Sequence, residues 1–162
     1  SDFMQSPARQ AVALIAFLAV CLAVGAVGAL ATAPAIPTWY ATLAKPSFNP
    51  PNWIFGPVWT TLYVLMAISA WLVWRSAGWR GARNALGVFF LQLALNFIWS
   101  FLFFSFHRIA FALVDVVLLL AAIFFTARAF LGHSRLAAVL LAPYLAWVAF
   151  ATLLNAAIWR LN

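Results

Sequence analysis

The sequence is short of charge, and above all of acidic side chains. Its 162 residues include two carboxylates, Asp2 and Asp115, against nine basic side chains, and only 7% of the residues are charged. Soluble domains carry about 25% charged residues, so this composition excludes an ordinary water-soluble domain. Cysteine is equally scarce, because Cys21 is alone in the chain, and this excludes a disulfide framework.

The scarcity of bases and metal ligands excludes several chemistries. Lys45 is the only lysine and lies in a predicted loop, so no retinal Schiff base can form within a helix bundle. His107 and His133 lie at opposite predicted membrane faces and cannot together ligate a haem iron. Asp115 is the only acid within a predicted span, so a carboxylate proton relay is absent. We expect no metal site and no required cofactor.

Apolar residues are abundant and make up 68% of the chain. They form five long stretches, four without any charge and one that carries Asp115 alone. Each has about 20 residues, enough to cross about 30 Å of hydrocarbon. The sequence therefore predicts an all-α integral membrane protein, a single domain over residues 1–162 with five transmembrane helices. The expected helices are at about 8–32, 53–75, 82–105, 108–130 and 134–159.

The net charge of +7 does not indicate a nucleic-acid partner, because the basic residues are scattered at helix ends instead of clustered on one face. Six arginines lie on the side of the N-terminus. Three basic residues lie on the opposite side: Lys45, Arg108 and Arg160. In an inner membrane this bias predicts a cytoplasmic N-terminus.

Proline is concentrated in the connection between the first two predicted helices, roughly residues 34–52. Five of the eight prolines lie there, including Pro50 and Pro51. Proline fixes φ and restricts the preceding residue, so the connection is expected to be stiff. Long connections are often lids or binding loops, and a simple connector is the alternative.

Large rings and amides are expected in the half of the bundle nearest this loop. Trp59 lies about 9 Å below the loop face, with Trp99 at a similar depth, and Tyr63 and Asn96 lie about 15 Å below it. Asn96 belongs to a stripe along one face of the third helix. Such an amide faces the bundle interior, either as an interhelical hydrogen bond or as a ligand contact.

The roles of Trp147 on the fifth helix and of Asp115 on the fourth each leave two alternatives. Trp147 lies too deep for an interfacial belt, so it either packs in the core or contacts a ligand. Ala151, on the same helix face, leaves room beside a large ring. Asp115 is costly within a span, and a salt bridge with Arg108 is favoured over catalysis. Gly25-x-x-x-Ala29 is a candidate small-residue contact for a dimer face. Three tryptophans are expected in the opposite interfacial belt: Trp71, Trp74 and Trp79.

These residues together predict a membrane pocket for a flat or polycyclic apolar ligand. Aromatic walls with few polar groups are typical of small-molecule sites, and indole and phenol rings stack on planar ligands. Lys45 in the loop would neutralise an acidic substituent of the ligand.

Three segments carry a family resemblance. Residues 39–59 read W-Y-x-x-L-x-K-P-x-x-x-P-P-x-W-x-x-G-P-x-W. The second segment runs from Gln92 to Asp115, and the third reads A-P-Y-L-A-W-V-A-F-A-T-L-L-N over residues 142–155. In this order they resemble the TspO/MBR family of tryptophan-rich sensory proteins and translocator proteins (peripheral benzodiazepine receptors), and in particular its bacterial members.

The resemblance implies a five-helix bundle with a pocket capped by the first loop. It implies binding of porphyrins such as protoporphyrin IX, or of other hydrophobic ligands and lipids, and frequent homodimers. Trp59 and Trp147 match the tryptophans that some bacterial members use in light-dependent porphyrin breakdown, so they are also candidate catalytic residues. The candidate ligand-binding residues are Tyr40, Lys45, Pro50, Pro51, Trp53, Trp59, Tyr63, Asn96, Trp99, Trp147 and Ala151.

One departure bears on the ligand. The animal proteins carry a tyrosine-containing cholesterol motif near the C-terminus, whereas this chain has Ala156 and Ala157 in the matching stretch. Tight cholesterol recognition is therefore not expected. The expected function is tetrapyrrole sensing, regulation or disposal in a bacterial envelope, in the inner or the outer membrane. A light-dependent porphyrin-degrading enzyme and a passive porphyrin or lipid transporter are the alternatives.

Overall fold

The computed structural model describes residues 5–162, so Asp2 lies outside the described part of the chain. All regular elements of this part are helical. They are α1 (Pro7–Thr32), α2 (Phe55–Gly81), α3 (Arg83–Ser100), α4 (Ile109–Leu131), α5 (Arg135–Leu140) and α6 (Ala142–Leu161). The described residues form five segments long and apolar enough to cross a membrane, with α5 and α6 together making the fifth. The predicted all-α membrane bundle is confirmed.

Polar caps and prolines set where several helices begin. Ser6 precedes α1, accepts a hydrogen bond from the Arg9 amide at 3.2 Å, and is followed by Pro7 in the first turn. Ser134 caps α5 in the same way, because its hydroxyl accepts a hydrogen bond from the Ala137 amide at 3.1 Å. Pro143 lies in the first turn of α6, so the fifth span is divided just before it.

The second helix is longer than the sequence suggested. A 3₁₀ turn, Asn52–Ile54, leads into α2, which continues through Arg75 and Arg80 to Gly81. The expected end near residue 75 assumed that a helix stops where charge begins. Charged side chains at a membrane boundary are instead solvated without breaking the helix. A kink at Gly78, with φ 71°, is the one interruption.

The two halves of the bundle differ in what fills them. The loop side is the side of residues 33–51, which we call the cap loop. The arginine side carries Arg9, Arg75, Arg80, Arg83, Arg128 and Arg135. On the arginine side the centre is solid: Phe89 and Phe130 are fully buried and stack at 6.0 Å, beside the buried Val73. On the loop side the helices enclose a cavity.

The predicted tryptophan belt is only partly correct. Trp79 is 57% exposed, as a belt residue should be. Trp71 turns toward α1, where its Nε1 donates to the Gln10 carbonyl at 2.8 Å. Trp74 is buried in the core. The kink at Gly78 explains the difference, because Trp71 and Trp74 lie only about 60° apart on the regular helix, whereas Trp79 follows the kink.

Candidate functional site

The cavity lies between α1, α2, α3 and α6, directly beneath the cap loop, and has a volume of about 500 Å³. Its walls come from the loop-side halves of these four helices. The depth argument predicted this half of the bundle, but it did not predict the part that α1 contributes. α4 contributes no lining residue among those described. The aromatic lining residues are Tyr40, Phe55, Trp59, Tyr63, Trp99, Phe103, Phe104, Trp147 and Phe150. Charged side chains are missing from this wall within residues 5–162.

Seven of the eleven predicted binding residues share this wall. They are Tyr40, Trp59, Tyr63, Asn96, Trp99, Trp147 and Ala151. Trp59 lies near Tyr63, with ring centres 5.8 Å apart, and Trp147 lies near Phe55 at 6.2 Å and Phe150 at 5.5 Å. The sequence thus identified residues that the fold brings together from four separate segments, although their contact with a ligand stays a prediction.

Four predicted residues lie outside the cavity wall: Lys45, Pro50, Pro51 and Trp53. The Lys45 ammonium donates to the Leu43 carbonyl at 3.1 Å and lies 4.7 Å from the centre of the Tyr40 ring. It is therefore held within the cap loop. Trp53 is 73% exposed, because it lies on the outer side of the 3₁₀ turn that follows the two prolines. Its neighbour Asn52 faces the cavity instead.

A buried polar network forms one end of the cavity. The Tyr63 hydroxyl donates to Asn96 Oδ1, and Asn96 Nδ2 donates to the Tyr144 oxygen at 2.8 Å. The Tyr144 hydroxyl in turn donates to Gln92 Oε1 at 2.7 Å. Because both ends of the Asn96 amide are occupied, this residue connects α2, α3 and α6, which favours the interhelical alternative. Gln92 Nε2 is buried without a partner among the described residues.

A second network lies nearer the cap loop. Trp99 Nε1 donates to Asn155 Oδ1 at 3.0 Å, and Asn155 Nδ2 donates to the Ile109 carbonyl at 3.1 Å. Asn155 thereby joins α3 and α6 to the first turn of α4. Burial of such groups is costly unless they are hydrogen-bonded, so this pairing fixes the orientation of the Trp99 ring on the cavity wall.

Four polar groups on the cavity wall remain free for a ligand. They make no hydrogen bond with any other residue in the range 5–162, and they are the Asn52 side-chain amide, the Ser100 hydroxyl and the indole nitrogens of Trp59 and Trp147. The remaining hydroxyls are engaged, for example Thr60 with the Gly56 carbonyl at 2.8 Å. A mostly apolar wall with a few free donors is the usual composition of a small-molecule site.

The cap loop is fastened at three points. Within the loop, the Tyr40 hydroxyl donates to Asn49 Oδ1 at 2.9 Å. The side chain of Asn162, after the end of α6, makes two hydrogen bonds with the Ala44 backbone. Its Oδ1 accepts from the Ala44 amide at 3.1 Å, and its Nδ2 donates to the Ala44 carbonyl at 2.9 Å. Trp39 stacks on His107 with ring centres 4.0 Å apart and planes inclined by 7°. These contacts close the loop over the cavity.

Burial affects the ionisation of the cap tyrosine. Tyr40 is 3% exposed. Burial raises the pKa of its hydroxyl, and the hydrogen bond with Asn49 opposes this in part. The hydroxyl is therefore protonated, and able to donate to Asn49, above the ordinary tyrosine pKa of about 10.

Comparison with known proteins agrees with this architecture. The family model described as "TspO/MBR family" matches residues 17–160. The chain belongs to the TspO/MBR family. It is 44% identical over 149 residues to the tryptophan-rich protein TspO of Archaeoglobus fulgidus, covering 92% of this chain and 96% of that protein. It is 48% identical over 126 residues to the human translocator protein, covering 76% and 75%. Protein CrtK of Rhodobacter capsulatus is 38% identical, with 90% of each chain covered.

In this TspO/MBR member, sequence reasoning missed the contribution of α1. Gly25 and Gly28 line the cavity, and a Cβ placed on Gly25 would lie 2.6 Å from the Tyr63 ring. The run of small residues is a signal for close packing, but the sequence indicated it as a candidate dimer face. The Gly25 face is occupied by Tyr63 of the same chain, and Ala29 lines the cavity, so the pair lies inside the bundle.

The end of α3 was also missed. Residues Phe101–Ser105 form a π-helical turn, in which the Phe106 amide donates to the Phe101 carbonyl at 2.8 Å. The wider turn brings Phe103 and Phe104 together on the cavity wall, with ring centres 4.8 Å apart. Such turns are frequent at functional sites, and hydrophobic periodicity gives no signal for them.

Asp115 does not take part in the cavity. It is 6% exposed on α4, and its Oδ2 has no hydrogen-bond partner among residues 5–162. The expected salt bridge with Arg108 does not form, since Arg108 precedes α4 and is exposed. The structure gives no account of why an acid lies there.

Proposed function

We propose that this membrane protein binds a porphyrin, protoporphyrin IX, in the capped cavity. The observation that carries the proposal is the convergence of Trp59, Trp99 and Trp147 on one enclosed space. Its volume of about 500 Å³ lies within the range of about 300–1,000 Å³ found for ligand sites. Flat conjugated rings gain both burial and offset stacking against indoles. Tetrapyrrole sensing, regulation or disposal would follow from such binding.

The acidic groups of the porphyrin would lie toward the cap loop. Lys45 is the only cation of that loop, and its present partner is one backbone carbonyl. Exchange of this neutral acceptor for a carboxylate would give a charge-assisted hydrogen bond, which is roughly twice as strong. Under the proposal, Lys45 turns from Leu43 to the ligand, while Asn52 and Ser100 supply neutral donors.

The proposal is tested by titrating the detergent-solubilised protein with protoporphyrin IX, following the Soret band and tryptophan fluorescence. Trp147→Phe should weaken binding about fivefold, since the lost part of the ring interaction is about 1 kcal/mol. Trp159→Phe is the matched control, because Trp159 is 53% exposed and outside the cavity wall. Equal affinities of the two variants would contradict the proposed site.

A light-dependent enzyme is a second candidate, favoured by the presence of two indoles, Trp59 and Trp147, on the same wall. One electron would pass from an indole to the photoexcited porphyrin, with dissolved oxygen as the final oxidant. Illumination should then bleach the Soret band faster in the wild type than in a Trp59→Phe/Trp147→Phe variant. A Trp53→Phe/Trp159→Phe variant should behave like the wild type. Equal bleaching in all three would leave binding alone.

Orientation and assembly are proposed from charge and resemblance. We propose that, in a bacterial inner membrane, the N-terminus faces the cytoplasm, because six arginines lie on that side against three basic residues on the other. We also propose a homodimer. Labelling of single cysteines on intact cells tests the first proposal, and crosslinking in native membranes tests the second.

A further inference from the structure

A second apolar space lies on the arginine side, on the outer surface of the bundle. It is a groove of about 470 Å³ between the first half of α1 and the parts of α2 and α3 that face it. Its main walls are Val12, Phe17, Val20, Trp79 and Phe90. Arg9 lies at one end and is the only charged residue of the described lining.

The length of the groove matches one leaflet of a membrane. From Arg9 to Val20 is eleven residues, or about 16 Å along a helix. Half of a hydrocarbon core of about 30 Å is close to this length. The groove therefore begins at the membrane boundary on the arginine side and ends near the middle of the bilayer, which are the limits of one acyl chain.

The wall of the groove is built by a specific backbone feature. The kink at Gly78, where φ is 71°, redirects the residue that follows it. Trp79 then lies between Phe17, at 5.8 Å, and Phe90, at 6.5 Å. Because φ in this range suits glycine and strains other residues, the aromatic row depends on Gly78. The row is mainly apolar, and its one hydrogen-bonding group is the indole N–H of Trp79.

Arg9 gives the groove its polarity. The side chain is exposed, and its guanidinium makes no hydrogen bond or ion pair with any residue from 5 to 162. Arg80 in the last turn of α2 and Arg83 at the start of α3 add positive charge at the same boundary. A phosphate is the complementary group, since guanidinium binds it with two parallel hydrogen bonds.

We propose that this groove binds an anionic phospholipid of the leaflet on the arginine side, with one acyl chain along Phe17 and Trp79 and the head-group phosphate at Arg9. The site is separate from the capped cavity and does not depend on what that cavity binds. A transmembrane helix of a second copy would fill the groove less well, because it would cover Arg9 without offering a complementary charge.

The head-group contact is tested by the thermal stability of the detergent-solubilised full chain, titrated with dioleoyl phosphatidylglycerol and dioleoyl phosphatidylcholine. Phosphatidylglycerol should bind more tightly to the wild type. Arg9→Gln should lower its affinity about fivefold, the contribution of one basic residue near an anionic lipid. Phosphatidylcholine should lose less affinity, because the choline of its zwitterionic head group already offsets the charge of its phosphate. Arg128→Gln is the control, because Arg128 lies on the same side but outside the groove. Equal effects of the two variants would overturn the proposal.

The acyl-chain contact is tested by filling the groove. Ala16 lines it and Ala19 does not, although both are exposed on α1. Ala16→Phe should weaken both phospholipids at least about tenfold, whereas Ala19→Phe should not. Protoporphyrin binding reports in parallel that the variants are folded. Identical lipid curves for the two variants, or a change from dimer to monomer in Ala16→Phe with unchanged lipid affinity, would overturn the proposal. Full competition by glycerol phosphate, a head group without chains, would do so as well.

Discussion

The capped cavity and the arginine-side groove are similar in volume, at about 500 Å³ and 470 Å³, but they are built differently. The cavity is enclosed by four helices and a fastened loop, and hydrogen-bonded side chains such as Asn96 form part of its wall. The groove is open along one side, and Arg9 is the single charged group of its described lining. An enclosed, shaped space suits a rigid ligand held by several elements, whereas an open strip suits a flexible chain from the surrounding lipid.

The largest effect should come from filling the cavity alone. Ala151→Trp places a large ring in the cavity, and the cost of overpacking or displacing the ligand, about 3 kcal/mol, should weaken protoporphyrin binding at least about 100-fold. Phospholipid stabilisation should not change. Ala146→Trp is the control, because Ala146 is exposed on the outer face of α6. A loss of both kinds of binding in Ala151→Trp would mean that the two spaces are not independent.

A second prediction concerns the close packing that forms the cavity. Gly25→Ala would place a Cβ 2.6 Å from Tyr63, and the resulting shift of α1 should cost about 1–3 kcal/mol of unfolding free energy. Gly87→Ala meets no atom within 4 Å, and should be neutral or stabilising by up to about 1 kcal/mol. Thermal unfolding in detergent measures both, and equal melting temperatures would contradict the close approach.

A third prediction tests the polar network that the groove lacks. Tyr144→Phe leaves Asn96 Nδ2 and Gln92 Oε1 without their partner in a buried position. The expected loss is about 1–3 kcal/mol of stability. Thr152→Val removes a hydroxyl that bonds only within its own helix, to Val148, and should change stability by less than about 0.5 kcal/mol. Equal melting temperatures of the two variants would mean that the network contributes little to stability.

The smallest effect should come from the cap. Tyr40→Phe removes the hydrogen bond with Asn49 and should cost about 1 kcal/mol, seen as a faster release of porphyrin in stopped-flow measurements. Lipid release should be unaffected. Phe48→Leu serves as a control on an exposed residue of the same loop.

The pH dependence of the cap has a definite sign. Burial raises the pKa of Tyr40 above its unfolded value, so its contribution to stability is complete below the ordinary pKa of about 10. It is lost as the pH rises through the higher folded value. Above pH 10, thermal stability should therefore fall less steeply in Tyr40→Phe than in the wild type. Parallel curves would contradict this.

The sequence was sufficient for the bundle because the signal for a membrane span is length and apolarity, which need no partner. It also identified seven residues of the cavity wall, in part because polar groups deep in a span must face inward. Whether Lys45 and Trp53 face the cavity was harder to predict, because the orientation of a loop side chain depends on turns such as Asn52–Ile54. The role of Gly25 depends on which helix packs against its face of α1. Helical periodicity alone does not predict which helix that is.

The π-helical turn at Phe101–Ser105 has a consequence for insertions and deletions. It is equivalent to one additional residue accommodated at the end of α3. Deleting a residue there, for example Leu102, would let a regular helix form and would leave the direction of the following residues nearly unchanged. Deleting a residue from the α-helical part of α3 would instead rotate everything downstream by about 100° and shorten the segment by about 1.5 Å. Only the second deletion would take His107 off the ring of Trp39 on which it stacks, so the π-helical turn is the place where this junction tolerates the loss of a residue.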